Sequence, residues 1–266
     1  MNITPSLEEA LAFVEDERYS VLPLSCEMLA DRLTPIQALK ILKNVSTHCY
    51  LLESVTERER WGRYTFLGYE PKMAVSCVDG AAEVDGVRYE TDDPEALLRQ
   101  ILSAYRSPRL AHLPSFTGGL VGYFSYDYIA YSEPTLRQGV RDEEGFKDVD
   151  LMLFDQVIAF DHFRQKIILI ANMRLADGAV GYNRAALALQ QMRDLLVQGA
   201  PCQEEQGRLL GPVEPLFDQA AYCAMVEKAK RHIIEGDIFQ IVLSNRLSAP
   251  FSGSLLNTYR MLRTLN

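Results

Sequence analysis

The chain has 266 residues, 48% of them hydrophobic and 24% charged, and this length and composition allow a sizeable hydrophobic core. Its net charge of -9 and pI near 5.1 argue against a nucleic-acid-binding protein, because phosphate binding requires clusters of Lys and Arg that the sequence lacks. Residues 1–18 are too acidic for a secretory signal and no apolar run is long enough to span a membrane, so we expect a cytoplasmic protein.

Short helices and strands alternate without a regular order in the first part of the chain. Thr34 and Asp93 are good N-cap residues, and each is followed by a proline at the first helical position. Helical spacing of apolar residues predicts helices that follow these two caps and a further helix at 6–13. Runs of strand-forming residues predict strands at 19–24, 48–53, 62–67 and 73–78, and a hairpin at 82–89. Strands this close together along the chain imply antiparallel pairing.

The second part of the chain predicts a hairpin, a long helix and a break. The hairpin is expected to join strands 151–160 and 166–172, and the helix to cover 179–198. Gly, Pro, Gln and Glu then dominate residues 199–215, which is typical of a connecting segment. Beyond it the pattern predicts a helix from Asp218 to Gly236, a strand at 237–247 with one apolar and one polar face, and a helix at 255–265.

These patterns predict an α+β fold with mostly antiparallel sheets flanked by helices. We expect an N-terminal domain at 1–198, a linker at 199–215, and the beginning of a further domain at 216–266. The five cysteines are odd in number and widely spaced, without a C-x-x-C pair, so we expect reduced thiols.

Common catalytic and metal-binding patterns are not present in the sequence. The glycine-rich segment 118–122 lacks the G-x-G-x-x-G spacing of a nucleotide-binding loop, so close backbone packing is the better interpretation. The acidic run 141–150 lacks the ligand spacing of an EF-hand and is expected to be a solvated loop. The four histidines are scattered and G-x-S-x-G is missing. These motifs therefore give no support to catalysis by a common nucleophile or to a metal site of a common type.

The segment LLES at 51–54 is the most informative candidate site. A predicted buried strand ends there in a carboxylate and a hydroxyl, Glu53 and Ser54, and a charged group at the edge of a core needs a partner. One interpretation is an ion pair within the protein, with Arg63 or another nearby arginine. The other is a pocket in which Glu53 holds the ammonium group of an amino acid while hydroxyls and amides hold its carboxylate.

Three separated motifs, LLES at 51–54, WGRYTFLG at 61–68 and GDIFQIVLSNR at 236–246, occur in this order along the chain. Together they resemble anthranilate synthase component I, a member of the chorismate-utilising enzymes. The resemblance covers most of residues 19–266. It implies the N-terminal domain of that fold, followed by the start of the chorismate-binding catalytic domain.

The resemblance implies a lyase that converts chorismate and ammonia to anthranilate and pyruvate with Mg²⁺ in tryptophan biosynthesis, and a glutamine amidotransferase subunit as partner. It also implies feedback inhibition by tryptophan, with Ser54 and Glu53 as contacts, and Asn266 where the asparagine of an Asn-Pro-x-x-Tyr-Met segment would lie. The catalytic histidine and the Mg²⁺ ligands of the family belong to a part of the catalytic domain that is absent here. We therefore expect a fragment that is inactive by itself.

Three alternatives remain open. Aminodeoxychorismate synthase component I has a similar N-terminal domain, although residues 61–68 match the anthranilate enzymes more closely. A free-standing amino-acid-binding module is disfavoured because the helix and strand after residue 215 would leave an apolar face uncovered. The third is a scaffold whose only task is to dock an amidotransferase.

Overall fold

The computed structural model describes residues 1–53, 62–136 and 145–265. The chain divides into two compact units, Met1–Cys202 and Gln203–Asn266. The finer division into 1–198, 199–215 and 216–266 stays a prediction. Within the described residues, no helix combines the length and the apolar composition needed to cross a bilayer.

The first unit consists of two antiparallel sheets with helices packed on them. Its strands are β1 (Val21–Leu29), β2 (Cys49–Leu52), β3 (Tyr64–Tyr69), β4 (Met73–Val78), β5 (Ala81–Val84), β6 (Val87–Glu90), β7 (Gly119–Phe124), β8 (Val149–Phe154), β9 (Gln156–Asp161) and β10 (Lys166–Arg174). Its α-helices are α1 (Leu7–Leu11), α2 (Pro35–Lys43), α3 (Pro94–Ser103), α4 (Ile129–Ser132) and α5 (Gly178–Gln198). Short 3-10 helices lie at Tyr126–Tyr128, Pro134–Leu136 and Leu175–Asp177.

Each sheet has five strands among the described residues. The first sheet has the order β1-β10-β9-β3-β2 and the second the order β6-β5-β4-β8-β7. Every strand pair in both sheets is antiparallel. The predicted α+β class with antiparallel sheets and flanking helices is confirmed.

Helix starts follow the predicted capping chemistry. The Thr34 hydroxyl accepts a hydrogen bond from the backbone N–H of Gln37, and the Asp93 carboxylate accepts one from Ala96. Both side chains satisfy a backbone donor that the helix itself leaves without a partner. The helices predicted after these two residues therefore begin where the sequence places them.

The predicted strand 151–160 is wrong in one respect, because it is two strands in different sheets. β8 belongs to the second sheet and β9 to the first, and the chain passes between them at Asp155. The Asn172 side-chain amide donates hydrogen bonds to the backbone carbonyls of Asp155 and Thr117, at 3.0 and 2.7 Å. Asp155 and Gln156 interrupt the apolar run at this point, but a single polar pair does not indicate that the two buried strands belong to different sheets. The predicted hairpin is formed by β9 and β10.

The first sheet is buried on both faces. Helices α2 and α5 pack against its strands, and the side chains of Leu22, Leu67 and Leu189 are fully buried. A second cluster, formed by Val157, Ala159, Ile168 and Ile170, is covered by Tyr64, Phe66, Leu113 and Phe116. Burying each large aliphatic side chain contributes about 1.5–3 kcal/mol, so this sheet supplies most of the hydrophobic stabilisation of the unit.

The glycine-rich segment 118–122 leads into β7 and packs closely on neighbouring backbone, as the sequence predicts. A Cβ atom added at Gly122 would lie 2.0 Å from the carbonyl oxygen of Asp150 on β8. One added at Gly118 would lie 2.9 Å from the carbonyl oxygen of Phe154. These glycines allow β7 to pair with β8 and carry no nucleotide-binding geometry.

The second unit contains β11 (Arg208–Leu209), β12 (Glu214–Pro215), α6 (Gln219–Glu235), β13 (Leu247–Ser248), β14 (Phe251–Ser252) and α7 (Leu256–Leu262). Asp218 caps α6 through the N–H of Ala221, and Gly236 ends it with a left-handed φ of 84°, as predicted. The short strands pair as β11 with β14 and β12 with β13.

The predicted strand at 237–247 is wrong, since only its last residue is in a strand, β13. Phe239 and Val242 are 93% and 83% exposed. An alternating pattern indicates a half-buried strand only if a neighbouring strand supplies backbone hydrogen bonds and an apolar surface. The described residues of this unit offer no such neighbour to residues 238–246.

Candidate functional site

The candidate site lies at the end of β2. Leu52 is opposite Phe66 of β3, and Glu53 follows directly as a partly buried residue. This register, continued by one residue, would place Glu53 opposite Thr65 near the beginning of β3. Ser54 and Asn266, the other two predicted effector contacts, lie outside the described residues, so their predicted roles stay predictions.

Arg63, one of the residues considered as a partner for Glu53, forms a two-point ion pair with Asp161. Its Nε lies 3.1 Å from Oδ1 and its Nη2 lies 2.7 Å from Oδ2 of Asp161. The guanidinium also lies over the rings of Tyr64 and Phe163, at 4.8 and 5.6 Å from their centroids. Arg63 is therefore held in one orientation by charge, hydrogen bonds and aromatic contacts.

Asp161 is a fully buried carboxylate side chain at the end of β9. Burial by itself raises its pKa, but hydrogen bonds from the Arg63 guanidinium and from the backbone N–H groups of Arg164 and Phe163 lower the pKa below its ordinary value. These backbone donors lie 3.0 and 3.1 Å from Oδ1. Asp161 therefore closes the β9–β10 turn and orders the arginine beside the candidate site.

The predicted strands 151–160 and 166–172 place Asp161 in the connection of a hairpin, and the sequence gives no sign of its pairing with Arg63. An aspartate at the end of a strand can accept hydrogen bonds from the N–H groups two and three residues later, and this local signal was available. The pairing with Arg63 was not available, since 98 residues separate the two. His162, next in the turn, places its Nε2 2.7 Å from the hydroxyl of Thr65.

The acidic run at 141–150 is only partly described, because residues 137–144 lie outside the described part of the chain. Asp148 accepts hydrogen bonds from the Tyr131 hydroxyl at 2.7 Å and from the Asp79 N–H at 2.8 Å. Asp150 pairs with Lys147 at 3.1 Å. Asp150 lies within β8, and Asp148 connects the segments of Tyr131 and Asp79, so the prediction of a solvated loop does not hold for these two residues.

The cysteines are free thiols, as predicted. Burial raises the pKa of Cys26 to about 11 and also raises that of Cys49. A raised pKa keeps a thiol protonated at neutral pH and makes it a poor nucleophile. Neither residue has the environment of a reactive cysteine.

Comparisons with known proteins identify the family. The family model for chorismate binding enzymes matches residues 47–266. The chain therefore belongs to the chorismate binding enzymes.

Among its curated relatives are proteins named anthranilate synthase component 1. The one from Acetivibrio thermocellus is 32% identical over 98% of this chain and 55% of its own length. The one from Pseudomonas aeruginosa is 35% identical over 97% of this chain and 54% of its own length. The chain thus spans about half the length of the curated relatives it matches.

A solved structure agrees with the sequence comparison. The crystal structure of anthranilate synthase component I from Streptococcus pneumoniae is 29% identical, with a TM-score of 0.65, and covers 90% of this chain and 52% of that protein. The resemblance inferred from the three sequence motifs is confirmed.

Proposed function

We propose that this chain is the N-terminal half of an anthranilate synthase component I that converts chorismate and ammonia to anthranilate and pyruvate in tryptophan biosynthesis. The observation that carries the proposal is the alignment of nearly the whole chain with half of several proteins of that name. The α+β fold shared with the Streptococcus pneumoniae protein supports it. The enzyme would be a cytoplasmic lyase, with a glutamine amidotransferase subunit as the source of ammonia.

The described residues do not fit a catalytic Mg²⁺ site. One group of possible metal ligands among them has its ligand atoms within 4.8 Å of one another and consists of His232, Glu235 and Asp237. Mg²⁺ prefers six oxygen ligands in an octahedral arrangement, and a histidine nitrogen on an exposed helix end does not match this preference. Mg²⁺ would therefore be bound in the whole enzyme by residues other than those described in this chain.

The end of β2 would serve regulation. The carboxylate of Glu53 has the chemistry to hold the ammonium group of tryptophan, and the hydroxyl of Ser54 and the side-chain amide of Asn266 have the chemistry to hold its carboxylate. The pairing of Arg63 with Asp161 supports this proposal, because it orders the beginning of β3 beside Glu53. Each charge-assisted hydrogen bond contributes roughly 1.5–3 kcal/mol, so two or three of them are sufficient for an effector site.

The first experiment tests the activity. The full chain is incubated with chorismate, Mg²⁺ and ammonium, and anthranilate is followed by its fluorescence. We expect no product above background from this chain, and the full activity from a chimera in which the second half of the Pseudomonas aeruginosa enzyme follows it. A chimera that folds but forms no anthranilate would contradict the proposal that this chain is the matching N-terminal half of an anthranilate synthase component I.

The second experiment tests regulation on the same chimera. Tryptophan should inhibit anthranilate formation, and Ser54→Ala or Glu53→Gln should raise the inhibitory concentration about tenfold or more. The matched controls are Ser132→Ala and Glu17→Gln at exposed positions, which should leave inhibition unchanged. If tryptophan inhibits the Ser54 and Glu53 variants at the same concentration as the controls, these two residues do not contribute to tryptophan binding.

A further inference from the structure

A second polar site lies within the first unit, between the end of β10 and helix α5. It is a cavity of about 330 Å³, and Glu53 is not among its lining residues. Helix α5 forms one wall, in part through the small residues Gly181, Ala185 and Ala188. This volume is at the lower end of the range of small-molecule sites.

The charged groups of the cavity are mostly cationic. Lys72, Arg174 and Arg184 line it, with Asp155 as the carboxylate. Lys72 lies 3.7 Å from Asp155, and Arg184 lies 3.0 Å from Asp177. No carboxylate within residues 1–53, 62–136 and 145–265 lies at ion-pair distance from Arg174. One guanidinium therefore lines the cavity without a direct ion pair in this part of the protein, although its charge opposes the rise that burial causes in the pKa of Asp155.

Arg174 is held in place by an aromatic residue. Its Nη2 donates a hydrogen bond of 2.8 Å to the hydroxyl of Tyr105, and its guanidinium lies 4.8 Å from the centroid of that ring. The backbone carbonyl of Arg174 also lies close to α5, since a Cβ added at Gly181 would approach its oxygen to 2.6 Å. The guanidinium is thus pre-organised, which lowers the entropy that a ligand must overcome on binding.

Two uncharged donors complete the lining. The side chains of Gln156 and Gln191 line the cavity, and neither forms a hydrogen bond to another residue in the described part of the chain. A cavity with a fixed guanidinium, a lysine ammonium and free amide donors is complementary to an oxyanion.

We propose that this cavity binds a small molecule with a carboxylate or phosphate group, with Arg174 as the anchor and Lys72 as a second cation. The planar fork of Arg174 can engage two oxygens of such a group, while the flexible Lys72 contributes a point charge. Glu53, the described residue of the site proposed for tryptophan, is not among the lining residues of this cavity.

The full chain is titrated by calorimetry with inorganic phosphate and, separately, with succinate, both at constant ionic strength, and sodium chloride is the reference for screening. We expect saturable binding of at least one probe. Arg174→Gln should weaken it about tenfold or more, Arg174→Lys by less, and Lys72→Gln measurably. Arg88→Gln is the matched control, since Arg88 is 86% exposed on β6 and pairs with Glu83.

Each result decides for or against the site. Binding that is lost in Arg174→Gln, kept in Arg88→Gln and unchanged in Glu53→Gln supports it, and the stronger probe identifies phosphate or carboxylate as the preferred group. Absence of binding by both probes overturns it, as does equal weakening by Arg174→Gln and Arg88→Gln. Circular dichroism of the variants shows that the fold is retained, and Arg174→Lys provides a second readout if Arg174→Gln does not fold.

Discussion

The guanidinium of Arg63 and the carboxylate of Asp161 form a two-point contact, with distances of 2.7 and 3.1 Å, that joins the segment before β3 to the end of β9. Tyr64, the next residue, is paired with Asp161 in the sheet. The ion pair therefore lies at the end of a strand ladder and orders the chain beside Glu53. It also completes the hydrogen bonding of a buried carboxylate, which would otherwise be costly.

Replacing Asp161 should destabilise the protein. We expect Asp161→Asn to lower the free energy of unfolding by about 2–3 kcal/mol, because it removes the charge that Arg63 faces and one acceptor oxygen of the turn. Urea unfolding followed by circular dichroism measures the change. Asp177→Asn is the control: its exposed pair with Arg184 should contribute less than about 1 kcal/mol. Equal losses in the two variants would contradict a special role for the buried pair.

The same carboxylate predicts how stability depends on pH. The folded-state pKa of Asp161 is lowered, so its contribution is present above the unfolded value near 4 and is lost as pH falls through the folded value. The difference in unfolding free energy between the wild type and Asp161→Asn should be constant from about pH 7 to 5 and should narrow below about pH 4. A difference that does not change down to pH 2 would show that the charge of Asp161 does not contribute.

Gly122 tests the close packing of β7 on β8. Gly122→Ala should cost about 2–4 kcal/mol or prevent folding, since the new Cβ would lie 2.0 Å from the carbonyl oxygen of Asp150 and the strand pair would have to separate. Gly86→Ala is the control, because that glycine has a φ of +82° but open space around it. Its cost should be limited to backbone strain, about 1–2 kcal/mol. Thermal unfolding measures the loss of stability in each variant, and the loss should be larger for Gly122→Ala, which adds a steric clash, than for Gly86→Ala, which adds backbone strain alone.

The Tyr131 hydroxyl connects three segments around the second sheet. It donates to Asp148 at 2.7 Å and accepts a hydrogen bond from the Gly80 N–H at 2.8 Å. Tyr131→Phe should therefore lower stability by about 1–3 kcal/mol, because both groups lose a partner. Tyr126→Phe, at a side chain that is 91% exposed, should change stability by less than about 0.5 kcal/mol. A chemical denaturation series of both variants measures the difference.

Local features of the fold were predictable from the sequence because their causes are local. Thr34 and Asp93 cap their helices through N–H groups three residues away, and Gly236 ends α6 with a backbone angle that glycine adopts readily. The LLES segment was likewise identified from its own residues as the end of a strand. The two predicted partners of Glu53 in the effector site, Ser54 and Asn266, stay predictions.

The sequence by itself determined the α+β class, the antiparallel pairing and the family, since short-range patterns and motifs carry all three. Only the tertiary structure decided that the chain changes sheets at Asp155, that Arg63 pairs with Asp161, and that Arg174 lines a cavity beside Lys72. Each of these depends on residues far apart in the chain, and apolar periodicity carries no information about which distant segments meet. Residues 238–246 have the sequence pattern of a strand but do not form one. A strand forms only where a neighbouring strand completes its backbone hydrogen bonds.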